Sequence, residues 1–282
     1  MNDLQKKLLE ILKEFIRVCD KYHLKYFLLG GTALGAVRHK GFIPWDDDID
    51  VGMPREDYDK FIQLQKEYEG TPYFIQTWKT DKNYIYNFAK LRDSSTTYIE
   101  APLVNHRINH GIFIDIFPID GMCKKRKPRE KLAGRVRYIW WQVYMSYLPA
   151  LFRKFHKQTF FKDLGLNIVA SLFYIFDIAH MRARLQDRHA KKIKLDECLM
   201  AGNYFGFNMK REAMPVEIFQ DLIKVQFEDI EAYIVKDYDQ FLTLYYGDYM
   251  TLPPEEKRVG HHYDKGFSLT QGYKDYIREH KI

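Results

Sequence analysis

Residues 30–51 read Gly-Gly-Thr-Ala-Leu-Gly-Ala-Val-Arg-His-Lys-Gly-Phe-Ile-Pro-Trp-Asp-Asp-Asp-Ile-Asp-Val, a glycine pair after an apolar run and then four aspartates within positions 46–50. If the stretch ending at Val51 is extended, side chains alternate faces, so Asp46, Asp48 and Asp50 are expected on one side and Asp47 and Ile49 on the other. Three carboxylates on one face repel each other unless a cation lies among them. Hard divalent ions such as Mg²⁺ take oxygen ligands and share them with substrate phosphates, so the pattern points to metal-assisted phosphoryl or nucleotidyl transfer. Gly30 and Gly31, with Thr32 opening the helix after them, fit that chemistry, because a strand-to-helix turn whose glycines lack Cβ atoms lets backbone N–H groups approach a phosphate closely. A third acid is expected at Asp115, mid-strand between Ile114 and Ile116, where an unpaired carboxylate would be costly.

Outward from this stretch, the 282 residues and a hydrophobic fraction of 46% suit a globular protein with one large core or two modest ones. Cys19, Cys123 and Cys198 are far apart and have no metal-ligand or redox spacing, which suggests a reducing compartment. The first twenty residues carry charges throughout an amphipathic pattern, unlike a secretory signal, and no run reaches the roughly 20 apolar residues of a membrane span. A cytoplasmic location is therefore expected. Charge is uneven: Cys123 to Lys194 holds 18 Lys and Arg against 4 Asp and Glu, a local +14 in a chain of net charge +6. Twelve aromatics, among them Trp140, Trp141 and Phe152, are interleaved with those cations. Two readings follow: a surface for anionic membrane headgroups or a polyanionic substrate, or a helical subdomain whose aromatics form its own core.

Periodicity predicts an amphipathic helix from Leu4 to about Asp20, a buried strand from Lys25 to Leu29 and a short helix from Thr32 to Arg38. Strands are expected at Ile49–Met53, Tyr73–Thr77, Tyr86–Leu91, Thr96–Glu100 and Gly111–Phe117, with a helix opened by Pro54 and running to about Tyr68. Beyond Met122 the pattern turns helical; Glu212 to Tyr246 reads as mostly helix, followed by a loop-rich tail. The expected organisation is a catalytic core over 1–122, a basic aromatic module over 123–195 and a helical region with a tail over 196–282.

The segments GGTALGAVRHKGFIPWDDDIDV, KLRDSSTT, HGIFIDIFPIDG and YYGDYMTLPPEEKRVGHH resemble the LicD family, bacterial phosphorylcholine transferases related to the fukutin-type ribitol-phosphate transferases. The resemblance covers most of residues 24–122 plus 245–262. It implies an α+β fold whose nucleotidyltransferase-like core is a mixed β-sheet flanked by helices, with the mainly helical basic stretch as an insertion or second subdomain. It also implies transfer of phosphocholine or a similar phospho-alcohol from a CDP-linked donor to a hydroxyl of a cell-surface glycan such as teichoic acid or lipopolysaccharide. On this resemblance Asp48 and Asp50 correspond to the family's paired metal ligands, Asp46 to the first acid of an Asp-x-Asp-x-Asp form and Asp115 to the third carboxylate.

The chemistry expected of such a site needs one or two Mg²⁺ ions, or Mn²⁺, on the donor diphosphate while an acceptor hydroxyl attacks in line. Asp115 is the candidate general base or else purely a metal ligand. Arg38, His39 and Lys40 read either as donor-phosphate contacts or as a solvated basic turn. Lys90 and Arg92 flank Leu91 and so share a strand face, which favours phosphate binding. Lys257, His261 and His262 belong to an irregular aromatic and basic tail suited to closing over a nucleotide. The expected partners are thus a CDP-linked donor and a glycan or lipid-linked glycan acceptor, with an anionic membrane surface compatible and no nucleic acid; the oligomeric state is open. The competing enzyme reading is a nucleotidyltransferase that consumes an NTP and releases pyrophosphate. A non-catalytic Ca²⁺ module is disfavoured, because the loop lacks EF-hand spacing and a terminal glutamate.

Overall fold

Asn2 and Gln5 begin the first helix with a reciprocal capping box, each side chain satisfying the other's backbone amide. The helix, α1 (Asp3–Lys21), then turns Leu8, Ile11, Leu12, Phe15 and Cys19 into the core, as the stripe in the sequence requires. Phe15 meets Tyr26 and Phe61 edge-on, with ring centroids at 5.3 and 5.0 Å. These relationships come from a computed structural model, which describes residues 1–104, 106–122, 178–205, 212–260 and 264–282.

The central sheet is mixed and runs β1 (Phe27–Leu28), β2 (Asp50–Pro54), β6 (Ile112–Met122), β4 (Ala89–Asp93) and β3 (Tyr73–Gln76). Among the described residues its one parallel pairing joins β2 to β6, with Asp50 opposite Asp115 and Val51 opposite Ile116. Helix α2 (Gly30–His39) connects β1 to β2 and includes the glycines that the sequence reading left outside it. Helix α3 (Arg55–Phe61) follows Pro54 with Glu56 and Asp57 in its first turn, where negative charge favours the helix dipole, and ends sooner than expected. Beyond β6 the sheet continues through β7 (Met200–Gly202) and β8 (Met214–Pro215), while β5 (Thr97–Glu100) pairs instead with β11 (Asp264–Ser268). The architecture is α+β, a mixed sheet flanked by helices.

One element differs outright. Glu212 to Tyr246, expected to be mostly helix, holds an antiparallel hairpin of β9 (Leu222–Phe227) and β10 (Ile230–Val235) before a nine-residue helix, α5 (Tyr238–Tyr246). Ile223, Val225 and Phe227 alternate with Lys224 and Gln226, the period of two that a strand demands. The tail is also more ordered than expected, ending in α6 (Tyr273–His280). Of the basic module expected over 123–195, residues 123–177 lie outside the described residues. Its carboxyl end is α4 (Ile178–Ala190), which is held to the sheet by charge. Arg55 grips Asp120 of β6 through two bonds of 2.7 and 2.6 Å and reaches Asp187 of α4 at 3.3 Å. Cys19 and Cys198 are buried free thiols. Among the described residues no helix is long and apolar enough to cross a membrane.

Candidate active site

The loop that delivers the aspartates is pinned from the amino terminus. Gln5, 2% exposed, donates from Nε2 to the carbonyls of Ile43 at 3.2 Å and Asp46 at 3.0 Å, and the Asp46 amide closes a turn onto the Ile43 carbonyl. Strand β2 begins only at Asp50, so residues 46–49 are not in a strand and the expected alternation does not apply to them. Asp47 therefore does not turn away: carboxylate oxygens of Asp46, Asp47 and Asp48 all lie within 4.8 Å of one another. Asp50 is fixed beside them, its amide donating to Thr32 Oγ1 at 2.9 Å and its carbonyl accepting from Leu29 at 2.9 Å. Burial, and then the charges of Asp48, Asp115 and Asp46, raise the Asp50 carboxyl well above the usual carboxylate range, with Lys90 opposing.

The glycine pair serves this crowding. A Cβ at Gly31 would sit 3.0 Å from Asp46 Oδ2, and one at Gly30, where φ is +49°, 3.2 Å from Asp50 Oδ2. The first turn of α2 thus lies directly against the carboxylates, which a larger residue would displace.

Asp115 faces the same group from the neighbouring strand, and its register partner on the other side is Lys90. Lys90 is 1% exposed; its Nζ lies 2.9 Å from Asp115 Oδ1 and 3.2 Å from Glu100 Oε1, over the Phe113 ring at 3.3 Å. Arg92 extends the chain of charges, bonding Glu100 at 2.9 Å, Gln76 at 2.5 Å and the Gly111 carbonyl at 2.7 Å. The expected shared face of Lys90 and Arg92 is real, since both reach Glu100. Arg92, however, is fully buried and bonded within the protein rather than brought to the acids.

The carboxyl-terminal region closes over the loop. A Cβ at Gly260 would stand 2.5 Å from Asp47 Oδ2, so the tail backbone passes immediately over that carboxylate. Arg258 lies over the Trp45 ring at 5.6 Å, the Arg38 guanidinium donates to the Tyr249 carbonyl at 2.8 Å, and His39 meets Trp45 at 6.5 Å. Desolvation, then Tyr245 and the carboxylates of Asp50, Asp46 and Asp48, push the Tyr246 phenol far above its ordinary value. Burial followed by the Arg38 charge lowers the His39 imidazole, favouring its neutral form.

A family model described as LicD/FKTN/FKRP, nucleotidyltransferase domain, matches residues 23–147. Over 272 residues, 93% of this chain and 95% of the other, the sequence is 31% identical to the lipopolysaccharide cholinephosphotransferase LicD of Haemophilus influenzae. The chain belongs to the LicD family. Shorter matches join it to the human ribitol 5-phosphate transferase FKRP, 29% identical over 94 residues that are 33% of this chain and 19% of that protein, and to an uncharacterized protein of Rickettsia typhi, 39% identical over 69 residues, 24% and 22% of the two chains.

The LicD domain match contains all five aspartates and Lys90. Of the remaining residues singled out in the sequence, Gly30, Gly31 and Thr32 touch the acid cluster. Arg38, His39 and Lys40 end α2, about 12 Å along the helix from Gly30. Lys40 and Lys257 are exposed, the latter in a single 3₁₀ turn (Glu255–Lys257), while His261 and His262 lie outside the described residues. Sequence reasoning missed Gln5, Trp45, Asp47, Tyr246 and Arg258. Asp47 carried a signal in its place within an unbroken acidic run, and Trp45, Tyr246 and Arg258 lie inside the quoted motif segments; Gln5 lies in none of them, and its partners are 38 and 41 residues away.

Proposed function

We infer that this LicD-family chain transfers a substituted phosphate group, phosphocholine or a similar phospho-alcohol, from a CDP-linked donor to a glycan hydroxyl. The observation that carries the reading is the oxygen cluster of Asp46, Asp47 and Asp48 beside Asp50 and Asp115. All of its donors are carboxylate oxygens, the set that suits Mg²⁺ or Mn²⁺ and no soft metal. Support for the transferred group comes from the relatives, one named a lipopolysaccharide cholinephosphotransferase and another a ribitol 5-phosphate transferase.

In this reading Asp46, Asp48 and Asp50 hold the cation with Asp47 or Asp115 completing the set. A bound Mg²⁺ would supply charge neutralisation on the diphosphate and on the departing CMP. The chain's own residues do the rest. Lys90 fixes the Asp115 carboxylate through Oδ1, so that Asp115 either accepts the acceptor hydroxyl's proton or serves as a ligand. Gly30 and Gly31 keep the first turn of α2 close against the carboxylates, where its backbone amides would meet a metal-held donor phosphate, and Arg38, His39 and Lys40 at the far end of the helix, with Lys257 in the tail, would contact more distant parts of the donor. The tail over Asp47, with His261 and His262 next in sequence, excludes water from the reacting phosphate. The basic 123–194 stretch serves a membrane-adjacent acceptor at the inner face of the cell membrane.

Incubation with CDP-choline, CDP-ribitol, CDP-glycerol and CTP in Mg²⁺ tests this. Release of CMP from one CDP-alcohol is expected; pyrophosphate release from CTP with inert CDP-alcohols would replace the reading by nucleotidyl transfer. Asp48→Asn should abolish turnover yet keep a cooperative melt at or above the parent temperature, because it removes one of several repelling charges. Near-normal turnover in that variant would refute the cation site.

A further inference from the structure

A second polar concavity lies away from the aspartates. Trp78, Lys79, Arg184, Asp187, Arg188 and Lys191 line a cleft of about 460 Å³, within the size range of small-ligand sites. Its charge is strongly one-sided. Asp187 is the sole carboxylate in that lining and is already bonded to Arg55 at 3.3 Å and Lys191 at 3.0 Å; Lys191 also reaches Asp59 at 3.0 Å. Arg184 and Arg188, one helical turn apart on α4, and Lys79 make no ion pair among the described residues. Like charges at that spacing lower helix stability, so a pair with no counter-ion among the described residues is one that an external anion would relieve. Residues 123–177, which precede α4 in sequence, carry 12 Lys and Arg against 3 Asp and Glu, a further excess of positive charge.

The aromatic wall narrows the class of anion. Trp78 is half-buried, braced by the His180 ring at 5.8 Å, with the Lys79 ammonium over it at 5.2 Å. An indole beside two guanidinium groups matches a sugar ring that carries a phosphate: the rigid aromatic surface packs on the ring's C–H face, and arginine forks bind phosphate oxygens bidentately. A metal-bound diphosphate needs neither. We propose that this cleft is a second carbohydrate site, binding a phosphorylated sugar unit of the acceptor away from the reacting hydroxyl. The inference rests on the reading above in taking a glycan as acceptor. Arg55 links Asp187 at the cleft to Asp120 on β6, and Asp120 is five residues, roughly 17 Å of strand, beyond Asp115.

Glucose 6-phosphate, glucose and inorganic phosphate serve as probes, with binding read by calorimetry at low salt without divalent ions. Glucose 6-phosphate should bind at least tenfold more tightly than either alternative. Arg184→Ala with Arg188→Ala, and separately Trp78→Ala, should weaken it at least tenfold with unchanged melting temperature. Glucose 6-phosphate binding that ignores both variants, or inorganic phosphate binding as tightly and indifferent to Trp78→Ala, would overturn the proposal. So would loss of binding to phosphatidylglycerol vesicles in the double variant with no response to any sugar phosphate, which reassigns the cleft to a lipid surface. Asp48→Asn keeps the two readings separate: it should lose turnover while binding glucose 6-phosphate normally.

Discussion

Gln5 shows how one side chain can serve two structures. Its carbonyl oxygen caps α1 while its amide nitrogen holds the Ile43 and Asp46 carbonyls, so the helix start and the acidic loop are fixed together. Gln5→Glu keeps the capping acceptor, which glutamate provides well, but removes both donors and adds a negative charge near the aspartates. Each carbonyl left without its buried donor costs about 1–3 kcal/mol. The expected outcome is a lower melting temperature together with at least tenfold weaker Mn²⁺ binding, measured by calorimetry; unchanged Mn²⁺ affinity in a destabilised variant would show that the loop holds its own shape. The acids themselves were legible, because four aspartates in five positions have few structural explanations. Gln5 was not legible, since its partners lie 38 and 41 residues away and a glutamine in a first helical turn reads only as a cap.

At the scale of elements, the hairpin missed in the sequence braces the loop that the sequence revealed. The Glu228 amide donates to the Lys40 carbonyl at 2.8 Å, and its carboxylate accepts from the Phe42 amide at 2.9 Å, so the β9–β10 turn clasps the segment leading to Asp46. The turn was hard to read for a physical reason. Its two central residues are Glu228 and Asp229, with φ at +55° for Glu228, a position where glycine or asparagine is the usual signal. Glu228→Ala leaves the Phe42 amide without its acceptor and should cost about 1–3 kcal/mol in urea unfolding. Glu228→Gln, which retains an acceptor oxygen, should recover most of that loss. Equal destabilisation by both would assign the effect to charge instead. The core strands were better signalled, since aromatic and β-branched residues alternate or run together over β3 and β6 and just before β4, and only their ends moved.

Across the whole molecule, titration of buried groups sets how stability responds to pH. Burial, followed by the Arg92 charge, lowers the His110 imidazole to about 4, although its Nε2 faces the His106 carbonyl and Glu100 lies near; His106 is lowered in the same direction. Between about pH 6.5 and 4 the unfolded chain therefore binds protons that the native His110 refuses, so native stability falls as pH falls through that window. The full effect is about 3 kcal/mol. Asp50 works the other way, its raised carboxyl favouring the native state in acid and losing that contribution as pH rises through its native value. His110→Gln should flatten the loss of stability between pH 6.5 and 5 in urea titrations, and an unaltered slope would count against the assignment. The parallel pairing of β2 with β6 carries a further consequence, for the order of events in folding. Asp50 and Asp115 face each other across a sequence separation of 65 residues, and closing so long a loop is slow compared with winding α1 or forming the β9–β10 hairpin. Cation binding during refolding should therefore return after the far-ultraviolet helical signal, making the carboxylate cluster a reporter of when β2 and β6 pair.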